Sequence, residues 1–158
     1  VSSELPPFQS FLDAHRLEVW RVLVATVGAA EAEDCFQETF LAALAAYPRL
    51  RADSNPRAWI LTIAHRKALD ALRARARRPR PDPEILELAA EAPPTPGPRS
   101  DVWAAVRGLP PRQRSAVVLR FAGDLSHREA GLAMDCTEQT ARRALHDGLK
   151  NLREVWTS

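Results

Sequence analysis

Seven of the thirteen prolines fall between Pro79 and Ser100, and this cluster constrains the chain more than any other feature. Proline lacks an amide hydrogen and has a fixed φ, so Pro93-Pro94-Thr95-Pro96-Gly97-Pro98 cannot sit inside a helix or a sheet. Residues 79–100 therefore read as a linker, with room for a helical turn or two only from Glu84 to Ala92. On both sides apolar residues recur at helical spacing, and no stretch shows convincing period-two alternation. The expected fold class is all-α, with two small helical domains, 1–78 and 101–158, joined by the Pro-rich linker.

The hydrophobic content of 46% over 158 residues is that of a folded protein. The formal charge of +2 averages blocks of opposite sign. Residues 57–80 carry eight Lys or Arg against one Asp, while residues 31–38 carry four carboxylates and no Lys or Arg. Such asymmetry fits one surface for a polyanion and another for a basic protein. Cys35 and Cys136 form no Cys-x-x-Cys spacing, and no paired histidines occur, so neither a metal nor a cofactor is expected. His15, His65, His127 and His146 are scattered, without a phosphate-binding glycine loop or a nucleophile elbow. Nothing assembles a catalytic set, and the chain is not expected to be an enzyme. Val1 to Pro7 lacks a secretion pattern, and the apolar run Val19 to Ala30, broken by Arg21, is too short to span a bilayer. A cytoplasmic protein without membrane insertion is expected.

In the first domain Phe8, Phe11, Leu12, Trp20, Leu23, Val24 and Val27 recur at helical spacing, and Gly28 offers a stop. In the next helix, ending before Pro48, Phe36, Phe40, Ala43, Leu44 and Tyr47 make one apolar stripe. Asp34, Gln37, Glu38 and Leu41 share a second face at i, i+3, i+4 and i+7. Two carboxylates, an amide and an outward leucine suit a docking surface for a basic partner helix. Spacing alone equally allows a solvated face with one stray leucine. A polar loop, Pro48 to Asn55, leads to Pro56, a good opening residue for a third helix. There Leu61, Ala64, Ala68 and Leu72 form a core face, while Trp59, Ile63, Arg66, Asp70, Arg73 and Arg77 fall on another. Arginines beside an aromatic can neutralise phosphates while bases stack, as a single-strand platform requires. The plainer alternatives are a core position for Trp59 and a solvated helix end for the arginines.

Beyond the linker, Asp101 is placed to cap a short helix that Gly108 closes, and Pro111 starts another ending near Gly123. Ser126-His127-Arg128-Glu129 has the form of a capping box. A short helix to Met134, a turn at Asp135-Cys136 and a longer helix capped by Thr137 follow. Ala141, Leu145, Leu149 and Leu152 make the buried stripe of that last helix, and Gln139, Arg142, Arg143, His146 and Lys150 lie off it. Short helix, tight turn and a second helix with basic and amide side chains near its start describe a helix-turn-helix. Arg and Gln suit base edges in the major groove, and helix N-termini suit phosphates. An ordinary three-helix packing unit with a solvated basic face is the alternative.

Three of these stretches resemble, in the same order, the sigma factors of bacterial RNA polymerase, specifically the small extracytoplasmic-function group. Glu33-Asp34 with Gln37-Glu38-Thr39-Phe40 resembles the core-binding part of region 2. Pro56-Arg57-Ala58-Trp59, then Ile63-Ala64, Asp70 and Leu72-Arg73, resembles the part that melts and recognises the −10 element. Leu109-Pro110, Val117-Val118-Leu119-Arg120, Ser126, Glu129, Thr140, Arg142, Leu145, His146 and Leu152 resemble region 4 without a gap. The resemblance implies that 1–78 is region 2 and 101–158 is region 4, a reader of the −35 element. It implies RNA polymerase core as partner, through the β′ clamp helices and the β subunit, together with promoter DNA, and it leaves room for an anti-sigma factor. Asp34, Gln37, Glu38 and Leu41 are then the core contacts. Trp59, Arg66, Lys67, Arg73 and Arg77 are the −10 and single-strand contacts. Thr137, Gln139, Thr140, Arg142, Arg143 and His146 are the −35 contacts. The linker acids Asp82, Glu84, Glu87 and Glu91 would thread the polymerase's nucleic-acid channels.

The sequence departs from the family pattern at a few positions. Ala144 and Asp147 stand where Arg is common, Gln139 where a small residue is, and Arg66 where Asn is. The implied consequence is a weaker hold on phosphates by region 4. Two rivals accompany this reading: a DNA-binding regulator that works without polymerase, and a protein-interaction module that sequesters a regulator.

Overall fold

The structure, a computed structural model, describes residues 5–51, 53–78 and 98–157, with side chains placed as far as 155 and from 102 onward in the last segment. The linker, its suggested turn at Glu84 to Ala92 and its acidic residues lie outside the described residues. Every regular element among the described residues is helical.

Helix α1 runs from Phe8 to Val27 and ends because Gly28 turns the chain at φ +86°, with its N–H donating to the Val24 carbonyl at 2.9 Å. A residue with a Cβ adopts that conformation only under strain. Helix α2, Ala29–Ala46, runs on into the 3-10 turn Tyr47–Arg49, where Pro48 removes the next amide donor. Helix α3, Pro56–Arg77, opens on Asn55, whose side chain accepts from the Ala58 N–H at 3.2 Å. This is an N-cap followed by proline in the first turn, the arrangement least costly to the exposed amides.

These three helices enclose Phe11, Val19, Leu23, Ala32, Phe40, Ala43, Ile60 and Ala64. Beside that core, Phe11 lies 5.1 Å from Tyr47 and 5.7 Å from Trp59, ring centre to ring centre. The Tyr47 hydroxyl donates to the Pro6 carbonyl, which holds the chain entering α1. One member of the expected α2 stripe is misplaced: Leu44 is 52% exposed, and buried Thr39 stands in the stripe instead. At 100° per residue Leu44 falls beside Gln37 and Leu41 rather than over Ala32 and Ala43. Thr39 is tolerated there because its hydroxyl donates to the Cys35 carbonyl at 2.6 Å.

In the second half, α4 spans Pro98–Arg107. It begins three residues before the expected cap, so Asp101 lies inside the helix and Pro98 occupies its first turn, where a missing N–H costs nothing. Helix α5, Pro111–Val117, passes into a π turn, Val118–Ala122, closed by the Gly123 N–H on the Val118 carbonyl at 3.1 Å. Helix α6, His127–Met134, carries the expected capping box, with Ser126 and Glu129 each satisfying the other's backbone donor. Helix α7, Glu138–Thr157, follows a turn in which Asp135 takes the left-handed conformation at φ +58°. Gly131 permits the tight crossing of α6 and α7, because a Cβ there would stand 3.1 Å from the backbone of Cys136 and Thr137.

The halves do not stand apart. Helix α3 packs on α6, and α1 packs on both α4 and the π turn. A Cβ on Gly123 would be 3.2 Å from Leu61 and 3.3 Å from Val22, so glycine lets the π turn seat against the first bundle. His65 of α3 is 2% exposed and faces the second half, with Nδ1 unpartnered, as is Nε of Arg114. Burial, and then the charges of Arg114 and Arg66, lower the His65 pKa from 6.5 to about 4.

A histidine whose folded pKa is depressed takes up a proton more readily once unfolded. Its stabilising contribution is thus complete above 6.5 and drains away as pH falls toward about 4. Thermal melts should lose several degrees between pH 7 and pH 5, and His65→Leu should make that loss smaller. An equal loss in the variant would mean that His65 does not contribute.

Candidate functional site

Three surfaces carry the side chains singled out by the sequence. On α2, Asp34, Gln37, Glu38 and Leu41 are all exposed and lie on the side opposite the buried Ala32, Thr39 and Ala43. Leu41 is 68% exposed, and with Leu44 beside it the acidic face carries two large apolar side chains. Spacing assigns Leu44 to the core stripe, but it lies at the edge of that stripe, next to Leu41, and joins the acidic face instead. Burial first, and then the charges of Glu38, Glu31 and Asp34, push the Cys35 thiol up.

On α3 the structure separates Trp59 from the arginines. Trp59 is half-buried in the aromatic cluster with Phe11 and Tyr47, at the head of the helix. Arg66, Arg73 and Arg77 are exposed further along, and Lys67 is half-buried. Arg73 lies 3.6 Å from Asp70 one turn back, and Arg75 reaches Glu31 of α2 at 3.2 Å. Arg75 thus ties two helices of the bundle, while Arg66, Arg73 and Arg77 project from it. An exposed row of guanidinium groups along one helix can follow a phosphate backbone.

On α7 all six predicted residues converge. Thr137, Gln139, Thr140, Arg142, Arg143 and His146 line one shallow recess of about 740 Å³, and Asp147 completes it. The Thr137 hydroxyl accepts from the Thr140 N–H at 3.1 Å, which fixes the start of the helix. Arg142 rests 3.2 Å from the Glu138 carboxylate, an exposed pair that a base edge can displace. The structure also divides the three departures in this helix, with Gln139 in the recess. Ala144 is 9% exposed and packs inward, so it bears on packing, while Asp147 places its carboxylate in the recess with Arg142, Arg143 and His146.

Residues 11–78 match the family model for sigma-70 region 2, and residues 99–152 match that for sigma-70 region 4. The chain is 31% identical over 138 residues to the ECF RNA polymerase sigma factor SigC of Mycobacterium tuberculosis, covering 85% of this chain and 75% of SigC. It is also 31% identical over 153 residues to the RNA polymerase sigma factor CarQ of Myxococcus xanthus, covering 94% of this chain and 88% of CarQ. The chain is an extracytoplasmic-function sigma factor.

Solved structures share the fold. The sigma factor RpoE of Bartonella quintana, solved with the anti-sigma factor NepR, superposes with a TM-score of 0.70 at 22% identity, over 94% of this chain and 93% of that one. CnrH, solved with the cytosolic domain of CnrY, superposes with a TM-score of 0.72 at 20% identity, over 95% and 87%. As a sigma factor the chain directs promoter-specific initiation by RNA polymerase and binds DNA through region 4. Among the described residues no helix is long and apolar enough to cross a membrane.

Proposed function

We propose that the sigma factor divides its work among these three faces. The α2 face, with Asp34, Gln37, Glu38 and Leu41 and now Leu44, meets the β′ clamp helices of the core, while region 4 meets the β subunit. The row Arg66, Arg73 and Arg77, flanked by Lys67 and headed by Trp59, holds the melted −10 strand. The α7 recess reads the −35 element. The domains that do so are 1–78 and 101–158, the second extended back to Pro98 by the start of α4. The protein works in the cytoplasm beside polymerase and contributes binding energy rather than chemistry of its own. An anti-sigma factor is a partner of the class with which the RpoE relative was solved.

The observation that carries the reading is the exposure of a mixed acidic and leucine face on α2, opposite a fully buried stripe. A DNA-binding regulator that acts alone has no use for it. The direct test is capture of purified core by the tagged chain, followed by sequencing of the DNA that the complex enriches. Enrichment of a shared two-part promoter only when core is present supports the reading, and equal enrichment without core contradicts it.

For the basic row, Arg73→Ala with Arg77→Ala should slow open-complex formation while leaving core capture intact. If both side chains meet phosphates of the melted strand, the slope of log affinity against log salt falls by roughly 0.7 per contact. An unaltered slope would make them solvated helix-end charges instead.

A further inference from the structure

The contact between the two halves is clasped at the head of α3. Asn55, which caps α3, donates through its side chain to the Glu129 carboxylate of α6. Arg57, two residues on, donates to the Asp124 carbonyl at 2.6 Å and lies 3.6 Å from the Asp124 carboxylate. Asp124 holds its place in a left-handed conformation at φ +53°, and Arg120 approaches it from the other side at 3.9 Å. Glu129 has its pKa lowered, first by the Ser126 backbone N–H and to a lesser extent by Arg57 and Asn55 across the interface. Two residues of region 2 thus grip two residues of region 4.

This closed form cannot occupy both promoter elements. Helix α7 packs on α6 and α6 on α3, and helices in contact lie 8–10 Å apart, so the recognition helix stays within about 20 Å of α3. Elements centred on −35 and −10 lie on the order of 25 base pairs apart, or ~85 Å of straight duplex at 3.4 Å per step. The halves must part before each can reach its element. The chain between Arg78 and Pro98 spans at most ~70 Å when extended, which with the width of two domains suffices.

We propose that Asn55 and Arg57 on one side, with Glu129 and Asp124 on the other, form a clasp that holds the free sigma factor closed and competes with its capture by polymerase. The consequence for polymerase rests on the functional reading above, whereas the closed form does not. Apparent affinity for core is lowered by the fraction of chains that are closed, because only open chains engage fully. The interface is built to part. Behind the clasp His65 and Arg114 bury polar nitrogens without partners, and the groups facing His65 are Arg66 and Arg73 on its own helix and Arg112 and Arg114 on α5, all cationic. A proton on His65 would meet no carboxylate there, so acid favours opening.

The test uses the full chain with three variants: Arg57→Glu, Asp124→Lys, and the two combined. Small-angle X-ray scattering measures the radius of gyration, and titration with core polymerase measures affinity. Each single variant sets like charges across the clasp, so it should expand the free chain and raise core affinity severalfold. The combined variant restores an opposite pair and should return both values toward those of the wild type, which a variant that merely damaged the fold would not do. Single variants that stay compact with unchanged affinity overturn the proposal, as does expansion without a gain in affinity. Failure of the wild type itself to bind core would overturn the functional reading, while the scattering radii would still decide whether the clasp exists.

Discussion

Affinity for core polymerase should fall by roughly a hundredfold or more when Asp34 and Glu38 are both replaced by Lys. Both side chains are exposed on the face of α2 that turns away from the core of region 2, so the change leaves packing untouched. A basic partner that met two carboxylates would then meet two ammonium groups, and like charges set against each other across an interface cost several kcal/mol. Circular dichroism should be unchanged. Leu41→Ala with Leu44→Ala should also weaken binding, by less and without altering its salt dependence, since apolar burial is not screened. Intact helicity with undiminished core affinity in the double lysine variant would remove α2 from the polymerase interface.

The second large effect belongs to the recognition helix. Asp147 shares the recess with Arg142, Arg143 and His146, so on the proposed reading it sets a carboxylate where phosphates would approach. In the assembled polymerase, Asp147→Arg should tighten binding to promoter duplexes of many sequences alike and should steepen the salt dependence. Arg142→Ala should act otherwise, with a loss of about 1–3 kcal/mol at particular base pairs and little change elsewhere. The outcomes separate cleanly: a uniform loss from Arg142→Ala would make it a phosphate contact, and no gain from Asp147→Arg would place Asp147 off the DNA. With Asp147 in place, wild-type region 4 should bind duplex weakly by itself and rely on tethering to region 2 through a shared polymerase, where linkage raises the effective concentration of each domain at its element.

Local patterns predicted what local physics controls. The end of α1 at Gly28, the start of α3 at Pro56, the capping box at Ser126 and Glu129, and the Thr137 cap each rest on a few adjacent residues, and each forms as expected. The α7 recess was also legible, because one amphipathic helix brings all six residues together. Errors came where the deciding contact is distant or the periodicity is loose. Leu44 sits at the margin of a stripe, where a one-residue drift reverses its exposure. Asp101 reads as a cap because Asp is a common N-cap residue, but Pro98, which has no amide hydrogen to satisfy, opens the helix three residues earlier. Ala144 was grouped with Asp147 as a surface departure, although it packs inward. The clasp was invisible. Asn55 and Glu129 are 74 residues apart, and each already has a complete local role as a helix cap, so nothing in the sequence signals their second partner.

The central claim is that this chain gives polymerase a promoter it cannot otherwise find. Run-off transcription tests it most directly, with purified core and a template bearing the sequence enriched by the core-bound protein. The account predicts a discrete transcript that starts a few base pairs downstream of the −10 element, appears only with the chain present, and is lost with the double lysine variant at Asp34 and Glu38. A chain that binds the template yet yields no transcript, or a transcript unaffected by that variant, would contradict it.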